Sequence, residues 1–220
     1  MKVYRPVRSN NLNQGFGDNM PYVKLGSDGK PVRPFVVRTF RGKAPAGYTK
    51  FYPTIGLKGH NGYDNMTWHG EPLYFPVVCD TEVGWWSKNA SDLDGGLGVD
   101  VISKKPVMVN GQNTYVKFRF WHLKEGYALD DVKPGDLIGL CDNTGASSGD
   151  HLHWSMKPCL KDGTSTQKSN GYYGAVDFTD YYHNEFIIDI IQVKERALTV
   201  IEEARRVIAL AKQFIKSLKK

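Results

Sequence analysis

The sequence runs to 220 residues with a formal charge of +6, 40% apolar residues and 24% charged residues. That balance excludes a disordered chain and fits one main domain, or one plus an appendage, around a substantial core. No run is long and apolar enough to span a bilayer, and three cysteines without a CxxC pair argue against a disulfide framework.

The basic charge fits an anionic partner such as a membrane or a cell-wall polymer, whereas no basic run interleaved with aromatics points to nucleic acid. The opening stretch, MKVYRPVRSNN, lacks the apolar centre of a secretory signal. The expected product is therefore made in the cytoplasm without a signal peptide.

Residues 1–55 read as a loop-rich part packed on the core, with turns at SDGKPVRP and GKAPAGY. From 56 to 184 the pattern turns to short strands rich in Tyr, Phe, Trp and Val, and the 23 glycines and 11 prolines of the chain supply its tight turns. The expectation is a mainly β domain. In VKFRFWH the period of two places Val116, Phe118, Phe120 and His122 on one face and Lys117, Arg119 and Trp121 on the other, which predicts His122 on the apolar side. In HLHWSM the same rule puts His151, His153 and Ser155 on one face and Leu152, Trp154 and Met156 on the other.

Residues 185–220 read as one amphipathic helix. Ile190, Ala197, Ala204, Ala211 and Leu218 form one heptad row, Val193, Val200, Val207 and Phe214 a second, and Ile201, Ile208 and Ile215 a third. Three rows make a face too wide for a two-stranded zipper, as for a helix packed in a bundle.

Six histidines are present. GHNGYD spaces His60 and Asp64 as HxxxD, and the glycines on either side favour a loop there over a helix. A zinc site needs three or four N, O or S ligands at about 2.0 to 2.3 Å, with one position left open for catalysis. His60, Asp64 and one histidine of HLH would meet that need. The two imidazoles of HLH lie about 6.5 to 7 Å apart along a strand face, so one can ligate while the other stands beside the reacting water. His69 and His183 read as surface or packing residues, and Cys141 and Cys159 as thiols without a ligand role. NTGASSGD reads as a positioning turn. Tyr63, Trp68, Trp85 and Trp86 are candidates for a groove wall, though aromatic residues on strands are more often core.

Taken together, the stretch from Gly56 to Pro158 resembles the lysostaphin-type zinc endopeptidases that cut peptidoglycan peptides. HxxxD, GEPLYFP, GLGVDV, WHL and VKPGDLIGLCDNTGASSGDHLH follow in the family's order. NQGFGDN near the start is a vaguer echo. The resemblance implies an antiparallel β-sheet or sandwich of the duplicated hybrid motif type, with residues 56–184 as the catalytic domain. It implies one zinc per chain on His60, Asp64 and His153, with His122 and His151 flanking the reacting water. With no glutamate beside the ligands, an imidazole takes the proton: His151 is expected as general base and His122 as the group that stabilises the oxyanion or protonates the leaving amine, with the two roles open to exchange.

The implied substrate is a peptidoglycan peptide. The missing signal points to a bacteriophage lysis enzyme or a virion-associated one, delivered to the wall after synthesis. Insertions at GWWSKNASDLDGG and KKPVMVNGQNTY reshape the groove, so the bond cut is left open. The helix is expected to dock a partner, as a homo-oligomer or on a virion protein, with membrane contact the less favoured role. The rival class is a non-enzymatic module of the same fold that binds wall or a partner protein.

Overall fold

The computed structural model describes residues 1–33, 35, 37–40 and 42–218, with side chains as far as 213. Strands β1 (Lys2–Arg5) and β2 (Leu12–Gln14) precede a small sheet of β3 (Tyr22–Lys24), β4 (Val37–Arg38) and β5 (Tyr48–Lys50), which leads into the single turn α1 (Phe51–Thr54). Then come β6 (Tyr63–Met66), β7 (Pro72–Tyr74), β8 (Val77–Val78), β9 (Trp85–Asp92), β10 (Gly96–Ser103) and β11 (Val107–Val109). The long β12 (Gln112–Gly126) is followed by β13 (Leu137–Cys141), β14 (His151–Cys159), β15 (Tyr182–Phe186) and the helix α2 (Ile187–Leu218).

The architecture is mainly β. Nine strands form one antiparallel sheet with the central order β2-β6-β14-β12-β10-β9, to which β13, β7 and β11 attach. A second sheet places β1 between β8, antiparallel, and β15, parallel. The first 55 residues are thus more than loops: β2 is an edge strand of the main sheet, paired to β6.

One face of the main sheet builds the core. Phe118 and Phe120 of β12 and Leu152, Trp154 and Met156 of β14 are fully buried there, joined by Val3 of β1, Val77 of β8 and Phe178. Phe120 and Trp154 are cross-strand partners with nearly parallel rings 6.1 Å apart. Burial of each such side chain contributes about 1.5–3 kcal/mol.

The opposite face is polar. His153, Ser155 and Lys157 follow one another along β14, facing Trp121, Arg119 and Lys117 on β12. Arg119 grips its cross-strand partner Asp100 with two hydrogen bonds of 2.6 and 2.7 Å, Lys117 lies 3.4 Å from the same carboxylate, and the guanidinium sits 4.8 Å from the Trp121 ring centre. This pairing fixes one wall of the cleft described below.

Among its described side chains, helix α2 touches the body only at its start. Ile187 is fully buried with Phe186 and Tyr4, while Ile188, Ile190 and Ile191 pack around them. From Gln192 to Gln213 every side chain is exposed. Phe214, Ile215 and Leu218 of the predicted rows lie outside the described side chains. Among the described residues no helix is long and apolar enough to cross a membrane.

Candidate active site

His60 lies in the loop before β6, held there by β2's neighbours. Its backbone N–H donates to the Asp18 carbonyl at 2.7 Å, and its own carbonyl accepts from Gly17 N–H at 2.8 Å. The ring Nδ1–H donates to the Gly15 carbonyl at 3.0 Å, which leaves the Nε2 lone pair aimed at the sheet. There it meets Asp64 of β6 and His153 of β14, which are cross-strand partners.

Three donor atoms converge. His60 Nε2 is 2.8 Å from His153 Nδ1 and 3.1 Å from Asp64 Oδ1, and His153 Nδ1 is 3.0 Å from that oxygen. All three residues are buried. Two nitrogens and a carboxylate oxygen at these spacings could hold a cation among them, and the set matches the N and O donors of a tetrahedral zinc centre, whose ligand atoms sit about 3.3 Å apart. The residues therefore fit the metal. Gly62 makes the approach possible, since a Cβ there would collide with the Trp154 carbonyl and lie 2.9 Å from Cε1 of His153.

His151 follows the expected alternation and shares the face of His153. Its Nδ1–H donates to the Gly149 carbonyl at 2.8 Å, and its Nε2 lies 3.8 Å from the second oxygen of Asp64. The loop that carries it is seated tightly: Gly145 has φ +77°, and a Cβ there would collide with the backbone N of Gly96. Ala146 N–H donates to the Asp94 carbonyl at 2.7 Å.

His122 departs from its predicted face. Phe118 and Phe120 point into the core as expected, but His122 has φ +61°, beside register shifts in both neighbouring strand pairs. The irregularity breaks the period of two, so His122 turns out of the apolar side and lines the cleft together with Trp121. Its Nδ1–H donates to the Thr144 carbonyl at 2.7 Å, and its ring centre is 4.6 Å from that of His151.

The electrostatics sort the groups. Burial would raise the Asp64 carboxyl, but His60 and His151, with hydrogen bonds from His153 and His60, hold it well below the usual carboxylate range. Burial lowers His153 to about 4 in spite of Asp64, and burial with the His151 and His153 rings lowers His122 to about 3. Burial opposes charge on His60, yet Asp64 and the Gly15 carbonyl outweigh it and raise that ring.

The cluster opens on a cleft of about 900 Å³. One wall comes from the N-terminal part through Phe40, Phe51 and Tyr52, and the other from Leu93, Asp94 and Trp121. Tyr52 is buried with its ring centre 5.7 Å from that of His60, and burial together with the Asp64 charge keeps its hydroxyl protonated. Sequence reasoning missed Tyr52, Gly15 and Trp121 as site residues. Tyr63 and Trp85 are core, and none of Tyr63, Trp68, Trp85 and Trp86 lines this cleft. His69 is exposed and bonded to Asp142 at 2.8 Å near Asp150, His183 lies against Tyr4, and the three thiols are free.

No protein-family profile and no curated protein sequence matches the chain. Among solved structures it is similar to the catalytic domain of the antimicrobial peptidase lysostaphin from Staphylococcus simulans, at 20% identity over 56% of this chain and 79% of that one, with a TM-score of 0.39. A zinc containing peptidase from Vibrio cholerae is 19% identical, with 76% of this chain and 39% of that chain covered and a TM-score of 0.42. The catalytic domain of a prophage-encoded M23 protein from Enterococcus faecalis is 22% identical, with 61% and 89% covered and a TM-score of 0.35.

Proposed function

We propose that this chain is a lysostaphin-type zinc endopeptidase that hydrolyses cross-link or stem peptides of bacterial peptidoglycan. The observation that carries the reading is the convergence of His60, Asp64 and His153 in a buried N, N, O set with His122 and His151 beside it at the floor of one open cleft. His60, Asp64 and His153 would hold the metal. When bound, zinc supplies Lewis acidity, polarising a carbonyl and making water acidic near neutral pH.

The remaining chemistry belongs to the side chains. His151 keeps a free lone pair on Nε2 because Nδ1–H is committed to Gly149, and the Asp64 carboxylate 3.8 Å away stabilises the imidazolium formed when it takes a proton. It is the general base. His122, whose Nδ1–H is committed to Thr144, holds a proton weakly in its buried place. A proton acquired during turnover is therefore passed on readily, which suits delivery to the leaving amine. The Tyr52 hydroxyl stays neutral and can donate to a developing oxyanion. The cleft walls, apolar at Phe40 and Leu93 and acidic at Asp94, suit an extended peptide.

The test is digestion of purified cell wall with mass analysis of the fragments, alongside metal content. The expected result is stoichiometric zinc, new amino termini within the wall peptides, and loss of both metal and cleavage in His60→Ala and Asp64→Ala. Zinc without cleavage would favour the non-enzymatic binding module.

A further inference from the structure

Helix α2 carries one uncovered apolar face through both of its halves, and its charge changes sign along that length. Val193, Ala197, Val200, Ala204 and Val207 follow at alternating steps of three and four, and the three valines are 62%, 63% and 64% exposed. Such spacing is the seam of paired helices, with the exposed Ile201 and Ile208 as a third row beside it. Between Asp189 and Glu203 the carboxylates Asp189, Glu195, Glu202 and Glu203 outnumber Lys194 and Arg196. From Ala204 to Gln213 the cations Arg205, Arg206 and Lys212 stand without a carboxylate.

We infer that α2 packs antiparallel against α2 of a second copy of this chain. Three observations select that occupant and that direction. Reversal sets the acidic half of each helix against the basic half of the other and opposes their macrodipoles, whereas pairing in the same direction sets like against like. Packing is the second. With Ala197 of one copy level with Val200 of the other, Val193 lies level with Ala204, so each layer of the seam joins one valine to one alanine. Pairing in the same direction alternates alanine on alanine with valine on valine, which leaves gaps between crowded layers. The flank is the third. Arg196 and Glu203 share one edge of the seam, seven residues or about 10 Å apart, too far to pair within a helix. In the antiparallel register Arg196 meets Glu203 of the second copy, twice by symmetry, whereas in a parallel pair they face Ile201 and Ile208. Ile201 and Ile208 stay at the edge of the antiparallel pair, and a second pair covers them in an up-and-down bundle of four. The bodies then sit at opposite ends, with the starts of paired helices roughly 35 Å apart along the axis. The proposal rests on α2 and holds whatever chemistry the cleft performs.

The experiment is sedimentation equilibrium of the full chain, with co-sedimentation on phosphatidylglycerol vesicles as a second arm. An assembly of two or four times the 24.8 kDa chain mass is expected, and Val200→Asp should abolish it. Arg196→Glu alone, or Glu203→Arg alone, sets like charges together at both contacts and should weaken association about tenfold. Arg196→Glu with Glu203→Arg in one chain restores opposite charges and should return the affinity to within about threefold of the original. All three positions are exposed, so the near-ultraviolet circular dichroism of the body should not change. A monomer at high micromolar concentration would overturn the proposal, as would a three-chain species or a double variant no stronger than the single ones. A monomer that binds the vesicles would assign the stripe to lipid instead.

Discussion

The rings of His122 and His151 lie 4.6 Å apart, centre to centre, although each is turned by a different device. His151 follows the ordinary alternation of β14, whereas His122 reaches the cleft through a positive φ. Each commits Nδ1–H to a backbone carbonyl, of Gly149 and Thr144 respectively. Their shared purpose is a pair of free Nε2 atoms. His122→Ala and His151→Ala should each retain zinc and lower kcat by about a hundred- to ten-thousand-fold. Metal content measured beside turnover checks this, and near-normal rates in both variants would remove the role assignment.

Gly62→Ala is expected to weaken metal binding without touching a ligand. The added methyl would collide with the Trp154 carbonyl and press on the His153 ring, so β14 or the ring must shift. A loss of about ten- to a hundredfold in zinc affinity follows, read by competition with a chromophoric chelator.

Tyr52→Phe keeps the ring against His60 and removes only the hydroxyl. Zinc content should be unchanged and kcat should fall by about ten- to a thousandfold with little change in KM, as for one lost oxyanion donor. A change confined to KM would place Tyr52 in binding alone.

The polar sheet face sets the response to alkali. Burial, with repulsion from Arg119 and Lys117, lowers Lys157 to about 8. The unfolded chain therefore binds more protons than the folded one between about pH 8 and the unfolded value near 10.5, and stability rises with pH across that window. Below it both states are charged and the burial cost is present in full. Lys157→Met should flatten the rise in denaturant titrations and stabilise the protein at pH 7 by about 1–3 kcal/mol.

Arg119→Ala acts in the opposite sense. It strips the fully buried Asp100 of its bidentate partner and leaves Lys117 as its remaining cation at 3.4 Å. A loss of about 3–5 kcal/mol is expected. The Trp121 ring also loses its guanidinium neighbour, so substrate affinity should weaken together with stability.

Much of this was legible in the sequence where periodicity is long. The alternation of HLHWSM gives the correct faces, with Leu152, Trp154 and Met156 in the core and His151 and His153 outside it. The heptad rows give a helix, and α2 begins within two residues of the expected boundary. His122 was misplaced because a left-handed residue interrupts the period, and no signal in VKFRFWH announces it. The cleft wall from Phe40 to Tyr52 was invisible for a different reason. Its strands are only two or three residues long, and their partners are set by distant pairing rather than local pattern.

The parallel pairing of β1 with β15 joins Val3 to Tyr182 and packs Tyr4 against Phe186 and Ile187. The chain between β1 and β15 must be in place before this seam can close, because the paired segments lie far apart in sequence. Such distant closure is slow. The interior around this seam is thus a late product of folding, and β1 stays unpaired on that side until β15 arrives.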